Sequence, residues 1–246
     1  MSHEGSHDAT YDVTASQRFT CDTRASVIAA LLRAATGGGH PNCADVAADA
    51  RAAGMAVSEI LDICIPAVAD TLGARWRSDQ LAFAEVTIGT AHLQSLVRQL
   101  DSGSRADLAR GPDGPTILVL VPVGVQHTLG PMLLASQLRR RGLSVGLLLD
   151  ATASDGRKFL RRTRTDAVFI SGHFIANLAS LRPIVEEARV TAPGVPIVIG
   201  GPDTILPEDV CRMTGADHAT RNMEVALSLC GLNEHTHHPK TAEMMS

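Results

Sequence analysis

The chain has 246 residues, enough for one large domain or two modest ones. Hydrophobic residues make up 45% and charged residues 20%, which predicts a packed globular core and excludes a disordered chain. The net charge of −4 leaves no broad positive footprint for nucleic acid. The five cysteines are scattered, which favours reduced thiols over a disulfide framework or a zinc site.

Both ends of the chain are polar. Residues 1–22 predict a flexible arm, and residues 233–246 predict a disordered tail. The arm has no basic stretch followed by an apolar run, so no signal peptide is expected. No apolar run approaches the ~18 residues that a membrane span requires. We therefore expect a cytoplasmic protein that makes no membrane contact.

Residues 23–101 predict a helical-bundle domain. Four segments have helical patterning: TRASVIAALLRAA, NCADVAADARAAG, AVSEILDICIPAVADTLGARW and FAEVTIGTAHLQSLVRQL. In the last segment, apolar residues recur at helical spacing at positions 86, 93, 97 and 100, which predicts one buried face. Four short helices in this length are typical of a small bundle.

Residues 102–115 are rich in Gly, Ser, Asp and Pro, which predicts a linker. From 116 to 232 the pattern changes to short apolar strands that alternate with helices. The strands are TILVLVPV, SVGLLLD, AVFIS, PIVIGG and ADHAT. This alternation indicates parallel βαβ units. The predicted fold class is α/β: an N-terminal four-helix bundle followed by a flavodoxin-like, doubly wound, five-stranded parallel sheet.

Ligands of open α/β sheets bind beyond the carboxyl ends of the strands. His127 follows the first strand in VQHTLG, Ser171 ends the third strand, and Gly200-Gly201 end the fourth. These positions therefore share one rim of the sheet, where glycine lets the backbone approach a bulky ligand. A lone histidine in such a loop could also cap a helix or bond within the loop.

The same residues resemble the cobalamin-binding domains of the methionine-synthase type, which carry Asp-x-His-x-x-Gly, Ser-x-Leu and Gly-Gly. Forty residues separate Gly130 from SGH at position 171, and twenty-six separate His173 from Gly200. The resemblance implies that His127 is the lower axial ligand of cobalt and displaces the vitamin's dimethylbenzimidazole, whose tail would lie near Ser171. The implied cofactor contacts in this domain are Gln126, His127, Thr128, Gly130, Ser171, Gly172, His173, Gly200 and Gly201.

Two letters depart from the family pattern: Val125 replaces Asp, and His173 replaces Leu. In the enzymes, the aspartate bonds the distal nitrogen of the histidine and orients the imidazole. Valine cannot do this. The departure therefore favours a sensor over a corrinoid that cycles to Co(I) in methyl transfer.

The stretch LGARWRSDQLAFAEVTIGTAHLQ resembles the helical cap of cobalamin-dependent regulators. The resemblance implies that Trp76 covers the upper face of the corrin and that Glu85 belongs to its Glu-His pair. Val86 stands at the family's upper histidine, and an arm histidine, His3 or His7, could reach that cobalt position instead. The alternatives are that Trp76 is a core anchor and that Glu85 is solvated.

Residues 55–205 are similar to the AerR/PpaA family of purple photosynthetic bacteria, on the phrases RWRSDQLAFAEVTIGTAHLQ and VQHTLGPMLLASQLRRRGLSVGLLL. The resemblance implies a non-enzymatic, light-responsive antirepressor that carries adenosyl- or hydroxocobalamin and acts on a CrtJ/PpsR-type repressor of photosystem genes. Light would break the upper cobalt–carbon bond and let the cap move. The alternatives are a corrinoid carrier of a methyltransferase system, a heme-binding sensor that uses His127, and a cofactor-free interaction module.

Two further groups carry weaker signals. Basic residues cluster on two helices, either as solvated faces or as a docking surface for an acidic partner or DNA phosphates: Arg139, Arg140, Arg141, Arg157, Lys158, Arg161, Arg162 and Arg164. The arm is too short for a helix-turn-helix, so specific DNA recognition by this chain alone is not expected. The tail histidines 235, 237 and 238 resemble a weak metal-binding tract or a tail without function.

Overall fold

The structure, a computed structural model, describes residues 21–37, 41–107, 114–172, 178–200 and 205–233. The predicted arm histidines, the C-terminal tail from residue 234 and residues 108–113 of the predicted linker lie outside these residues. The chain forms two compact units, Met1–Gly89 and Thr90–Ser246. No helix within the described ranges has the length and apolar character that crossing a membrane requires.

The first unit is helical, as the periodicity predicts. Its helices are α1 (Cys21–Thr36), α2 (Cys43–Ala52), α3 (Val57–Glu59), α4 (Ile65–Arg77) and the beginning of α5 (Phe83–Asp107). Asn42 caps α2 in a reciprocal box with Asp45. The largest fully buried side chains of this unit are Leu31, Ile60, Leu61, Ile65 and Leu72.

Between α3 and α4, residues Ile60–Cys64 form a π-helical turn, so α3 and α4 run on as the single helical segment that the sequence predicts. Pro66 stands at the start of α4. Because proline donates no backbone N–H and its ring crowds the carbonyl four residues back, a regular α-turn would be disrupted there. The wider π-turn accommodates the proline without a break.

Helix α5 extends beyond its predicted end. The sequence predicts a linker from residue 102, but α5 continues to Asp107. Glycine and serine lower helix propensity only modestly, and the helix already formed upstream outweighs that preference. The prediction of a linker is therefore wrong for residues 102–107.

The second unit contains a five-stranded sheet in which every pair is parallel. The strands are β1 (Thr116–Pro122), β2 (Ser144–Ala151), β3 (Ala167–Ser171), β4 (Ile197–Gly200) and β5 (His218–Ala219), in the order β2-β1-β3-β4-β5. This is the flavodoxin-like doubly wound order. The predicted fold class is confirmed.

Both faces of this sheet are covered. One core contains Leu118 and Leu120 of β1 with apolar residues of three later segments: α7 (Ala153–Arg162), the 3-10 turn Leu178–Leu181 with α8 (Arg182–Thr191), and α9 (Pro207–Thr214). The other core contains Ile117 and Val119 with residues of α6 (Leu129–Arg140) and α10 (Met223–Leu229). Alternate residues of β1 thus enter opposite cores, which explains the unbroken apolar run in the sequence.

Helix α7 begins in a capping box at the carboxyl end of β2. Asp155 N–H donates to Thr152 Oγ1 at 3.3 Å, and Thr152 N–H donates to Asp155 Oδ2 at 3.1 Å. The hydrogen bonds from Thr152, with a contribution from Lys158, lower the pKa of Asp155 from 3.8 to about 2. The box fixes where α7 starts, three residues before the predicted Gly156.

This capping box predicts a pH-dependent contribution to stability. A carboxylate whose pKa is lower in the folded state stabilises the fold above its ordinary pKa and loses that contribution as the pH falls through about 2. The stability deficit of Asp155→Asn should therefore be constant from about pH 7 to about pH 4 and shrink below that. Urea unfolding of both proteins over this range measures it. A deficit that stays unchanged towards pH 2 would contradict the assignment.

Candidate functional site

Residues 123–128 form the loop between β1 and α6, at the carboxyl edge of the sheet. Val123 N–H donates to the carbonyl of Ala151 at 3.2 Å. Gly124 N–H donates to Asp150 Oδ1 at 3.0 Å. Gly124 has φ +81°, a conformation that side chains other than glycine rarely adopt. The first half of the loop is therefore fastened to the end of β2, and the second half carries His127.

This loop lines a cavity of about 570 Å³, a volume typical of small-molecule sites. His127 and Gln126 are exposed, so the imidazole is accessible to a ligand. The opposite wall comes from the 3-10 turn and α8. The lining residues are Pro122, Val123, Gly124, Val125, Gln126, His127, Ala151, Thr152, Ser180, Leu181 and Ile184.

A side chain of α5 reaches the end of the same loop. Gln94 Nε2 donates to Thr128 Oγ1 at 2.9 Å. Thr128 directly follows His127 and is the N-terminal cap of α6. Asp101, two turns further along α5, accepts a hydrogen bond from Arg139 of α6 at 2.8 Å. Both contacts lie within the second unit, and the sequence analysis missed Gln94. In the sequence, Gln94 is marked only as a polar residue next to the buried apolar positions of α5.

The predicted glycine-rich part of the rim serves strand packing. Ser171 and Gly200 are register partners, and Gly172 N–H donates to the carbonyl of Gly200 at 3.0 Å. A Cβ at Gly172 would lie 2.8 Å from Ile199 Cγ2 and 3.2 Å from Leu181 Cδ1. Only glycine lets these segments approach so closely. The structure thus brings Ser171, Gly172 and Gly200 together next to the cavity wall, but none of them lines the cavity.

Two predicted contacts, His173 and Gly201, lie outside the described residues. Gly130, on the first turn of α6, is exposed, and a Cβ built there meets nothing within 4 Å. Space beside Gly130 is therefore available to a ligand.

The other two predicted contacts belong to the first unit. Trp76 is 48% exposed, which does not match its alternative interpretation as a buried core anchor. Its ring lies 6.4 Å, centroid to centroid, from that of Phe83, which is 71% exposed. Glu85 Oε2 accepts the Ala82 N–H at 2.8 Å, so this carboxylate caps the start of α5. Glu85 is thus more than a solvated charge.

Much of the predicted basic cluster is paired with carboxylates. Four of its members form ion pairs: Arg139 with Asp101, Arg141 with Glu224, Arg157 with Glu187, and Lys158 with Asp155. The Arg139 pair is the least exposed of these. These four cations therefore contribute to contacts between helices and to helix capping, and they also form part of a charged surface.

Comparison with known proteins identifies the second unit. The model of the B12 binding domain matches residues 115–228, from just before β1 into α10. An uncharacterized 20.5 kDa protein from the bchF-crtJ intergenic region of Rhodobacter capsulatus is 34% identical over 179 residues, covering 72% of this chain and 93% of that protein. The chain belongs to the AerR/PpaA family of B12-binding-domain proteins.

The architecture of this AerR/PpaA member is also similar to a solved corrinoid protein. The monomethylamine corrinoid protein of Methanosarcina barkeri matches with a TM-score of 0.60 and 13% identity, covering 85% of this chain and 96% of that one. At this identity the likeness shows the fold: a helical N-terminal part followed by a parallel α/β domain.

The residues of this B12-binding domain fit a metal that brings most of its own ligands. Among the described residues, no group of three or more His, Cys, Asp or Glu side chains could hold a bare metal ion. A single accessible imidazole suits a metal whose other ligands come from a macrocycle, as histidine does for haem iron. His127, the cavity beside it and the open space at Gly130 meet this requirement.

The two glycines predict opposite effects of one substitution. Gly172→Ala should lower the free energy of unfolding by about 1–3 kcal/mol, because its Cβ collides with Ile199 and Leu181. Gly130→Ala should leave that free energy within about 1 kcal/mol of wild type, on the stabilising side. Urea unfolding of the protein without cofactor measures both. Equal stability of the two variants would contradict the close packing at Gly172.

Proposed function

We propose that this protein is a cobalamin-dependent, light-responsive transcriptional regulator that acts through a protein partner. The partner is a repressor of the CrtJ/PpsR type. The protein would act as an antirepressor and relieve the repression that this partner causes. One observation carries the proposal: the accessible imidazole of His127 lines a cavity at the carboxyl edge of a B12-binding domain. The R. capsulatus relative's location beside crtJ supports the choice of partner.

His127 would hold the cobalt, with Gln126 and Thr128 beside it in the loop. An alkylcobalamin would supply a coloured metal centre with a light-sensitive cobalt–carbon bond. The chain's own contribution is to present the imidazole at a fixed position, through the loop's bonds to β2 and the Gln94–Thr128 bond to α5. Such outer contacts orient a metal ligand.

Val125 favours a sensor over a methyl carrier. Its side chain lines the same cavity wall as His127 but has no atom that can accept a hydrogen bond from the imidazole. A carrier benefits from a carboxylate there, because the proton on the imidazole must follow the oxidation state of cobalt. A sensor that does not cycle through Co(I) does not depend on that group.

The first unit would provide the responsive surface. Trp76 and Phe83 expose aromatic rings, which can pack against an apolar surface. If the bound ligand changed what these rings contact, the surface of the first unit would exist in two states. A partner that binds one state more tightly reads the light signal as a shift in population.

The coordination is tested by His127→Ala. Wild-type protein mixed with hydroxocobalamin or adenosylcobalamin should turn red and show a spectrum shifted from that of the free vitamin. The variant should bind at least about tenfold more weakly and lose the shift, because the imidazole donor is gone. His218→Ala, on β5, is the matched control and should bind as wild type. A Soret band after incubation with hemin, stronger than any cobalamin signal, would instead support the heme sensor.

The regulatory step is tested by binding of the repressor in darkness and light. Protein loaded with adenosylcobalamin should change its affinity for a CrtJ/PpsR-type repressor after illumination. The amount of DNA that the repressor binds should change as well. Size-exclusion chromatography and promoter gel shifts measure the two effects. The His127→Ala variant should show no light dependence. Equal binding before and after illumination would exclude the light response.

The second candidate is a corrinoid carrier, which the likeness of the whole chain to the M. barkeri corrinoid protein favours. A carrier should pass a methyl group from a methylated substrate to an acceptor when reductant and a partner methyltransferase are present. Restoring the family's aspartate by Val125→Asp distinguishes the two. It should raise such transfer for a carrier, whereas a regulator should stay inactive in transfer.

A further inference from the structure

The structure assigns to Asp150 a positioning role: its carboxylate holds the loop that carries His127. This inference rests on the proposed function, since it gives that loop a ligand to present. Asp150 is not part of the Asp-x-His-x-x-Gly pattern. It lies at the carboxyl end of the neighbouring strand, β2, and acts on the imidazole only through the loop backbone.

Asp150 occupies a bulge in β2. Leu120 pairs with Leu148, but the next pair is Pro122 with Ala151, so two residues of β2 stand opposite one residue of β1. A bulge bends its strand and redirects a side chain. Here it directs the Asp150 carboxylate towards the rim loop, where Oδ1 lies 3.0 Å from the Gly124 nitrogen.

The backbone of Asp150 adopts an unfavourable conformation. Its φ is +51°, and among the described non-glycine residues only Asp79 shares a positive φ. Glycine would adopt this conformation without steric cost, so an aspartate there needs a compensating interaction. The charge-assisted hydrogen bond to Gly124 N–H supplies one. The backbone strain at Asp150 is thus offset by a hydrogen bond to the loop beside the cavity.

The hydrogen bond from Gly124 N–H to Asp150 lies at the point where the loop turns away from β1. Gly124 also has a positive φ, and the next residue, Val125, closes a turn back to the carbonyl of Pro122 at 3.2 Å. The chain then has two more steps to His127. Fixing Gly124 therefore fixes the path along which the imidazole leaves the sheet.

The chain offers a matched control. Asp166 Oδ2 also accepts a strand backbone N–H, from Thr116 at 2.8 Å, but at the amino edge of the sheet. The chemistry is the same, and the location is opposite to the cavity. A merely structural effect of losing such a bond would appear in both variants, whereas a positioning effect on the loop would appear only for Asp150.

The test compares Asp150→Gly, Asp150→Asn and Asp166→Ala with wild type. Alanine removes the Asp166 carboxylate and with it the bond to Thr116. Glycine keeps the backbone conformation and removes the carboxylate, and asparagine keeps both the tolerance of positive φ and one acceptor. Thermal melts and circular dichroism establish that each variant is folded. Hydrogen exchange of the cofactor-free protein then reports the Gly124 amide, and titration with hydroxocobalamin reports affinity and absorption spectrum.

Asp150→Gly should speed exchange in peptides covering 122–128 by about tenfold or more. It should also weaken hydroxocobalamin binding by about 10–100-fold and change the spectrum of the bound form, the size of effect typical for a group that orients a metal ligand. Asp150→Asn should recover part of both effects. Asp166→Ala should leave loop exchange and the bound spectrum at wild-type values.

Wild-type loop exchange in Asp150→Gly would overturn the inference, and so would a loosened loop with unchanged affinity and spectrum. The same spectral change in Asp166→Ala would also overturn it. If wild-type protein binds no cobalamin, the proposed function fails, and the exchange measurement alone still decides whether Asp150 holds the loop.

Discussion

The position of β1 inside the sheet, between β2 and β3, is the constraint on which the site depends. This strand pairs with β2 on one side and β3 on the other, and its residues are buried on both faces. The chain order reverses beside it, which makes its carboxyl end the switch point where doubly wound sheets open a crevice. The loop that follows must therefore emerge at that crevice. His127 owes its exposure to this topology.

The sequence predicted those helices and strands whose boundaries are set by local residue patterns. Strand β3 and helix α9 begin and end where the pattern predicts, because an apolar strand and a proline-led helix are local signals. The start of α7 was less visible, since the capping box lies upstream of the amphipathic pattern. The bulge in β2 could not be predicted, because it exists only in the pairing with β1.

The candidate site likewise has a part that the sequence predicts and a part that it does not. Motif spacing predicted that His127, Ser171 and Gly200 meet at one rim, and spacing is a property of the sequence. The side chains that fasten the loop, Gln94 and Asp150, are distant in sequence and act by tertiary hydrogen bonds. Their identity carries no local signal. The motif therefore shows where a ligand would bind, and the fold shows what keeps that place in shape.

The exposed aromatic pair of the first unit has an optical consequence. Trp76 is the chain's one tryptophan, and about half of its side chain is exposed. Indole emission from this protein thus originates at a single point, on the surface formed with Phe83. In the protein without cofactor, quenching or a colour shift of that emission would report events at this surface without a label.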